Sequence, residues 1–245
     1  MVPLGGSQFN FSCHPGVACF TFCCKNVDLD LYPYDVVCLK EELGIDSETF
    51  LRDHTELKKG GNPFFPTLKL KLVSCEDGQV CPFLTGNGCS VYKSRPTSCR
   101  TYPLERAVDR SATGGRPEEF YFLTDHSYCL GHKEAELITV RKWVRSQRLD
   151  EFNLMNDLWA EVDTLFASNP WKGEGTGGRM QQMAFMACYN MDGFRRFIDE
   201  NRIFSQFVID RDWKNRMKRD DAELLKFGFE WIKRVLGGRS SLVSK

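Results

Sequence analysis

The amino-acid sequence predicts an α+β fold in which a small antiparallel β-meander with cysteine-rich loops packs against a mainly helical C-terminal part. Residues 67–92 alternate apolar and polar side chains between glycine turns, which is typical of short strands with one wet face. Residues 133–245 carry apolar side chains at helical spacing. We therefore expect two domains, a cysteine-cluster metal-binding domain over residues 1–132 and a helical region over residues 133–245 packed on it.

Local start and stop signals predict two helices before the strands. Pro33 suits a first helical turn, Leu39 belongs to an apolar stripe, and Gly44 is a helix stop. Asp46 or Ser47 would cap a second short helix.

The strands begin at Thr67, where the apolar period changes to two. Leu68, Leu70 and Leu72 alternate with lysines, which indicates a half-buried strand. The later signals are a hairpin turn at Asp77-Gly78, a return strand over 79–84, a turn at 86–88, a third strand over 89–92, a polar loop over 109–118 and a fourth strand over 119–124.

The C-terminal part is expected to be helical. Trp159 and Val162 belong to a helical apolar stripe, and residues 169–178 form a loop rich in glycine. Asp192 would cap the next helix, and Asp220 or Asp221 would cap the last one.

Composition limits the classes of partner. Among the 245 residues, 33 Lys and Arg balance 33 Asp and Glu, so no net positive field attracts nucleic acid. No apolar run is long enough to span a bilayer, and the N-terminus lacks the features of a secretory signal. We expect a cytoplasmic protein that binds no nucleic acid and has no membrane span, while a protein partner stays open.

The densest group of cysteines lies in residues 11–24, FSCHPGVACFTFCC. The chain has eleven cysteines in total, an odd number, and disulfides are rare in a reducing compartment. Thiolate is a soft ligand, and four thiolates satisfy either a tetrahedral Zn²⁺ or a [4Fe–4S] cube. We therefore interpret these thiols as metal ligands.

Two stretches resemble a known family. The segments CHPGVACFTFCC and CPFLTGNGCSVYKSRPTSCRTYPL are similar to the YkgJ-type cysteine-cluster proteins, described as zinc- or iron-chelating domains. The resemblance covers roughly residues 10–132. It implies six motif cysteines as ligands, namely Cys19, Cys23, Cys24, Cys81, Cys89 and Cys99. Three residues separate Cys19 from Cys23, where many members have a tighter spacing, and the additional Cys13 compensates for this or binds separately.

Other groups complete or surround the predicted site. Cys129 follows the last predicted strand and is a seventh ligand candidate. Arg95 and Arg100 bracket Cys99, where their charge would offset that of the thiolates, the alternative being a surface salt bridge. The remaining cysteines and the histidines are interpreted otherwise: Cys38 and Cys188 as small buried side chains, Cys75 without a motif, and His14 and His126 as surface or structural groups that could also enter a mixed site.

An iron–sulfur protein of the [4Fe–4S] type is the function that this pattern favours, because the ligand pool is all thiolate and no histidine-containing zinc spacing is present. One alternative is a structural or chelating zinc protein that acts as an interaction module. The others are a metal-dependent protein-modifying enzyme, similar to flagellin lysine methylases, and an iron delivery protein. The sequence shows no dinucleotide loop, P-loop, nucleophile elbow or radical-SAM spacing, so no catalytic residue is predicted.

Overall fold

The computed structural model describes residues 3–4, 8–76, 78–110 and 118–245, and it confirms the predicted α+β class. The strands are β1 Gln8–Asn10, β2 Thr55–Lys58, β3 Thr67–Leu70, β4 Val73–Cys75, β5 Gly78–Val80, β6 Leu84–Thr85, β7 Gly88–Cys89, β8 Leu104–Asp109, β9 Glu118–Leu123 and β10 Leu137–Thr139. The α-helices are α1 Pro33–Leu43, α2 Ser47–His54, α3 Thr97–Thr101, α4 Val140–Ser146, α5 Leu149–Ala167, α6 Arg179–Tyr189, α7 Met191–Glu200, α8 Arg211–Met217 and α9 Asp221–Val235. Among these helices, none combines the length and the apolar character needed to cross a bilayer.

The contacts group the chain into two compact units. The first consists of the described parts of residues 1–27 and 72–152, and the second of residues 28–71 and 153–245. This grouping does not test whether residues 1–132 fold on their own, so the predicted domain boundary stays a prediction.

The described part of the first unit contains four antiparallel strand pairs, and a small apolar core lies between two of them, β1 with β10 and β8 with β9. The pairs are β1 with β10, β4 with β5, β6 with β7, and β8 with β9. The core side chains are Phe9, Phe11, Leu104, Tyr121, Ile138 and Val140. Since β3 pairs with β2 in the second unit, the described strands form separate pairs and not one continuous meander.

Several strand predictions are corrected in detail. The fourth predicted strand is confirmed as β9, but its partner β8 was not predicted. The third predicted strand ends at Cys89, and a 3₁₀ turn follows at Tyr92–Ser94. Leu68 and Leu70 are buried as predicted, whereas β3 ends before Leu72. The predicted turn residue Asp77 lies outside the described residues.

The helix signals of the second unit are largely confirmed. Helix α1 ends at Gly44, which has a left-handed φ of 65°, and Asp46 caps α2 by accepting a hydrogen bond from the Thr49 amide at 2.7 Å. Asp220 caps α9. The cap of α7 is Asn190, however, because the predicted cap Asp192 has a different set of partners.

Those partners belong to a buried charge cluster. Lys40 is 9% exposed in its side chain, and its Nζ lies 3.1 Å from Asp192 and 2.5 Å from Asp221. The amide and hydroxyl of Ser47 also donate to Asp192, at 2.7 and 2.8 Å. Burial raises the pKa of Asp192, but these hydrogen bonds outweigh it and hold that pKa below its ordinary value. The cluster therefore ties α1 and α2 to the starts of α7 and α9.

Replacing Lys40 by methionine should destabilise the second unit. The substitution keeps the apolar stem but removes the cation that Asp192 and Asp221 share, so that Asp221 keeps only Arg195, and breaking such a buried pair costs about 3 kcal/mol. Urea denaturation followed by tryptophan fluorescence measures this, since every tryptophan except Trp143 lies in the second unit. The matched control is Lys58→Met, which removes an exposed pair with Glu56 and should change the free energy of unfolding by less than about 1 kcal/mol. Equal effects of the two substitutions would contradict the structural role of Lys40.

Candidate metal centre

The predicted ligand cysteines all lie in the first unit. None of the eleven cysteines forms a disulfide. Cys188 is fully buried on α6, as expected for a small apolar side chain, whereas Cys38 on α1 is half-buried. The eight predicted ligands are exposed or half-buried instead, namely Cys13, Cys19, Cys23, Cys24, Cys81, Cys89, Cys99 and Cys129. They are therefore open to a ligand.

The segment that precedes Cys19 is hydrogen bonded to the segment that follows Cys129, and we call this contact the crossing. The Ser12 amide donates to the Gly131 carbonyl at 3.1 Å, and the Leu130 amide donates to the Cys19 sulfur at 3.1 Å. A Cβ atom at Gly131 would lie only 2.7 Å from the Ser12 carbonyl oxygen. Glycine is therefore needed for this close approach.

A second backbone contact brings Cys24 beside Cys81. The Cys81 amide donates to the Cys24 carbonyl at 2.9 Å, and the Asn26 amide donates to the Gln79 carbonyl at 2.7 Å. The Asn26 side chain in turn accepts a hydrogen bond from the Gln79 amide at 2.9 Å. Residues 24–26 thus run antiparallel to residues 79–81.

The hairpin of β6 and β7 then places Cys89 near Cys81. The Leu84 amide donates to the Cys81 carbonyl at 3.0 Å, and Leu84 pairs with Cys89 across the hairpin. Gly88 has a φ of 110°, and a Cβ atom there would lie 3.2 Å from the Phe20 ring. This tight turn holds both thiols at one end of the hairpin.

The adjacent Cys23 and Cys24 lie in a 3₁₀ turn with an unusual backbone on both sides. Thr21 and Asn26 have φ values of 65° and 49°. A left-handed conformation costs a β-branched residue such as Thr21 about 1–2 kcal/mol. The surrounding contacts therefore impose this turn, a pattern found often at functional sites.

The thiols influence one another's ionisation. Burial raises the pKa of Cys13 to about 11, and burial also raises the pKa of Cys81 and Cys89. A hydrogen bond from Cys24 lowers the pKa of Cys23 to about 7, and the same bond raises the pKa of Cys24. The charge of Cys23 raises the pKa of the other four thiols. Cys23 is thus central to one electrostatic neighbourhood.

The two predicted arginines have different surroundings. The Arg95 guanidinium lies 3.9 Å above the Tyr92 ring and lowers the pKa of Cys89 and Cys13, against the larger rise that burial causes. The role of Arg95 in offsetting the charge of metal-bound thiolates stays a prediction. Arg100 is 3% exposed and donates to backbone carbonyls, so its visible role is to fix the segment around α3.

The histidines near the thiols face other groups. His14 Nε2 lies 3.5 Å from a carboxylate oxygen of Glu134. His132 Nε2 lies 3.2 Å from the Tyr102 hydroxyl, and His126 stacks on the Tyr102 ring with 5.5 Å between ring centroids. Because these histidines already contact other side chains, the thiolates are the favoured donors for a metal at this site.

Tyr102 is a neighbour of the thiols that the sequence did not single out. Burial raises its pKa, and a hydrogen bond with the Cys129 thiol raises it further. The available signal was its position in RPTSCRTYP, residues 95–103, within the second stretch that resembles the family.

The donor chemistry fits a thiophilic metal. Among the residues that the structure describes, no three histidine, cysteine or acidic side chains are already gathered closely enough to hold an ion. The eight thiols nevertheless all lie in one unit and are exposed or half-buried. Metal ligation requires deprotonated thiols and is coupled to folding, so we expect the cation itself to complete the site.

Comparison with known proteins agrees with this chemistry. Residues 12–130 match the family model CxxCxxCC, described as "Putative zinc- or iron-chelating domain". No curated protein and no solved structure matches the chain. The match confirms the family that the sequence resembles and supports binding of zinc or iron by this part of the chain, without distinguishing the two metals.

Replacing Gly131 by alanine should weaken the site. The new Cβ atom would collide with the Ser12 carbonyl, and overpacking of this kind costs about 1–3 kcal/mol. We expect a lower free energy of unfolding and less bound metal, measured by thermal denaturation and elemental analysis. The matched control is Gly61→Ala, where a Cβ atom meets nothing within 4 Å. A Gly131 variant as stable and as metal-rich as this control would contradict the crossing.

Metal affinity should rise with pH. Since burial raises the pKa of Cys81 and Cys89, their thiols are protonated at neutral pH, and metal binding must release these protons. Each released proton makes the Kd for Zn²⁺ fall about tenfold per pH unit. Competition with a chromophoric chelator between about pH 6.5 and about pH 7.5 measures this slope. An affinity that is independent of pH would show that these thiols are not the ligands.

Proposed function

We propose that residues 12–130 hold an iron–sulfur cluster of the [4Fe–4S] type through cysteine thiolates. The supporting observation is that eight exposed or half-buried thiols lie in one unit and influence one another's ionisation, while the nearby histidines face other groups. Four thiolates complete the coordination of such a cluster. The ligands are drawn first from the six motif cysteines, with Cys13 and Cys129 beside them.

Groups around the thiols would tune a bound cluster. The Leu130 amide donates a hydrogen bond to the Cys19 sulfur at 3.1 Å, and the Tyr102 hydroxyl is hydrogen bonded with the Cys129 thiol. Hydrogen bonds to ligand sulfurs and nearby cations raise the reduction potential of iron–sulfur clusters, and Arg95 supplies such a cation. When bound, the cluster supplies one-electron chemistry. The chain's own residues hold it, balance its charge and hydrogen bond to its ligands.

A structural zinc site within an interaction module is the second candidate. Two aromatic side chains beside the thiols are exposed, Phe22 by 50% and Tyr128 by 41%, and their rings contact each other with 5.2 Å between centroids. Large apolar groups that remain in water are typical of a partner-binding surface. Four of the thiols would then bind Zn²⁺ tetrahedrally and stabilise this surface.

Purification without oxygen distinguishes the two candidates. We expect a brown protein with broad visible absorption, containing iron and acid-labile sulfide in near-equal amounts. Colourless protein that contains only zinc would contradict the cluster and favour the zinc module.

Matched serine variants locate the ligands in the same preparation. Cys89→Ser removes a motif thiol, and its iron content should fall by at least about half because the cluster loses a ligand. Cys75→Ser removes an exposed thiol outside the motif and should retain the iron of the wild type. Equal iron contents in both variants would exclude Cys89 from the site.

A further inference from the structure

Two segments of the first unit carry positive charge without any negative charge. Residues 92–101, YKSRPTSCRT, contain three cationic residues and no acidic residue. Residues 139–149, TVRKWVRSQRL, contain four cationic residues and again no acidic residue. Since the whole chain has 33 residues of each sign, this local excess of positive charge does not follow from its composition.

Hydrogen bonds hold the two segments side by side. The Trp143 Nε1 donates to the Thr101 carbonyl at 3.1 Å. The buried guanidinium of Arg100 donates to the carbonyls of Lys93 and Gln147, at 2.5 and 2.8 Å. The cations of both segments therefore lie in one region of the first unit.

Helix α4, in the second segment, presents its cations to solvent. Val140 is buried, and the Trp143 ring packs against Phe11 with 5.4 Å between the ring centroids. The exposed positions of the helix between and after these two are cationic, namely Arg141, Lys142 and Arg145. One side of α4 thus faces the small apolar core, and the other side is positively charged.

The stability of α4 does not explain these charges. Arg148 pairs with Glu151 at 2.9 Å, but no carboxylate of the described residues pairs with Arg141, Lys142 or Arg145. Arg141 and Lys142 lie in the first turn of α4, where the helix dipole repels a cation. Arg141 and Arg145 also repel each other across one turn. An external group with negative charge would offset this repulsion.

An exposed aromatic side chain lies among the same cations. Tyr92 is 56% exposed, and the Arg95 guanidinium lies 3.9 Å from the centre of its ring. Tyrosine and arginine are enriched in protein–protein interfaces. Nucleic-acid-binding domains, by contrast, commonly have a pI above about 9, whereas this chain has no net charge. The surface therefore matches the carboxylates of a protein better than the phosphates of a nucleic acid.

We propose that the cations of these two segments form a basic face that docks an acidic protein. The basic face consists of Lys93, Arg95, Arg141, Lys142, Arg145 and Arg148. Complementary charge would speed the approach of such a partner and fix its orientation. The exposed Cys99 lies in the first segment, so a docked partner would lie beside a motif cysteine. The proposal concerns the surface and is independent of which metal the thiols bind.

A fluorescent peptide of about ten glutamates serves as the probe because it offers only carboxylates to the protein. Fluorescence anisotropy at low salt measures its Kd for the full chain, purified without oxygen. The triple variant with Arg141→Gln, Lys142→Gln and Arg145→Gln should raise this Kd at least about tenfold, because the face loses half of its cations.

A matched triple variant controls for net charge. It carries Arg211→Gln, Lys218→Gln and Arg219→Gln, which remove three exposed cations of the second unit. The control loses the same total charge, but it should change the Kd less than about twofold because its cations lie outside the basic face.

A carbodiimide cross-linker locates the probe on the wild-type chain. The reagent joins a glutamate carboxylate to a lysine amine that touches it, and mass spectrometry identifies the lysine. We expect cross-links at Lys93 and Lys142 and none at Lys218, although all three side chains are exposed. Because this measurement uses the wild-type chain, it tests the face even if the first triple variant folds poorly.

Equal Kd values for the two triple variants would overturn the basic face as the docking site. Cross-links at Lys218 in place of Lys93 and Lys142, or a wild-type chain that does not bind the probe, would overturn it as well. An oligothymidylate of equal charge is the second probe. If it binds more tightly than the glutamate peptide and the first triple variant loses this binding, the partner is a nucleic acid and the proposed acidic protein is wrong.

Discussion

The antiparallel contact between residues 24–26 and residues 79–81 is the constraint on which the thiol cluster depends. It joins two segments more than fifty residues apart, and residues 28–71 between them belong to the second unit. Closing so long a loop costs conformational entropy, which backbone hydrogen bonds of about 1 kcal/mol each offset only in part. Coordination bonds from both segments to one metal would offset the remaining entropy cost. On the proposed ligation, folding of the first unit and binding of the metal would be coupled.

The ionisation of the cysteine thiols also favours a bound metal cation in the first unit. Thiols crowded into one neighbourhood resist ionisation because burial and mutual repulsion both oppose a second negative charge, as the raised pKa of Cys13, Cys81 and Cys89 shows. Arg95 offsets only a small part of this charge. A bound metal cation offsets the repulsion between the thiolates and lowers their pKa, so that the thiols lose their protons and become ligands. The second unit provides a contrast, since its half-buried Asp192 and buried Asp221 already have Lys40 as their shared cation.

Local signals could be read from the sequence, and long-range pairing could not. Helices α1 and α9 were predicted because Gly44 and Asp220 act within their own turns. Strand β8 was missed because only Leu104 of its six residues is buried, so its apolar alternation is weak. Asp192 was mistaken for a cap because its partners, Lys40 and Ser47, lie far away in the sequence. The cysteine spacing predicts thiolate ligands, whereas the pairing of residues 24–26 with residues 79–81 is a long-range contact that no local pattern encodes.

X-ray absorption at the edge of the bound metal tests the central claim most directly, since it identifies the atoms in the first coordination shell. Thiolate ligation predicts a shell of sulfur alone at about 2.3 Å, whether the metal is zinc or the iron of a cluster. For a cluster, a second shell of iron neighbours should be present as well. A first shell dominated by nitrogen or oxygen would show that the cysteines are not the ligands, and it would contradict the assignment of this unit as a thiolate metal centre.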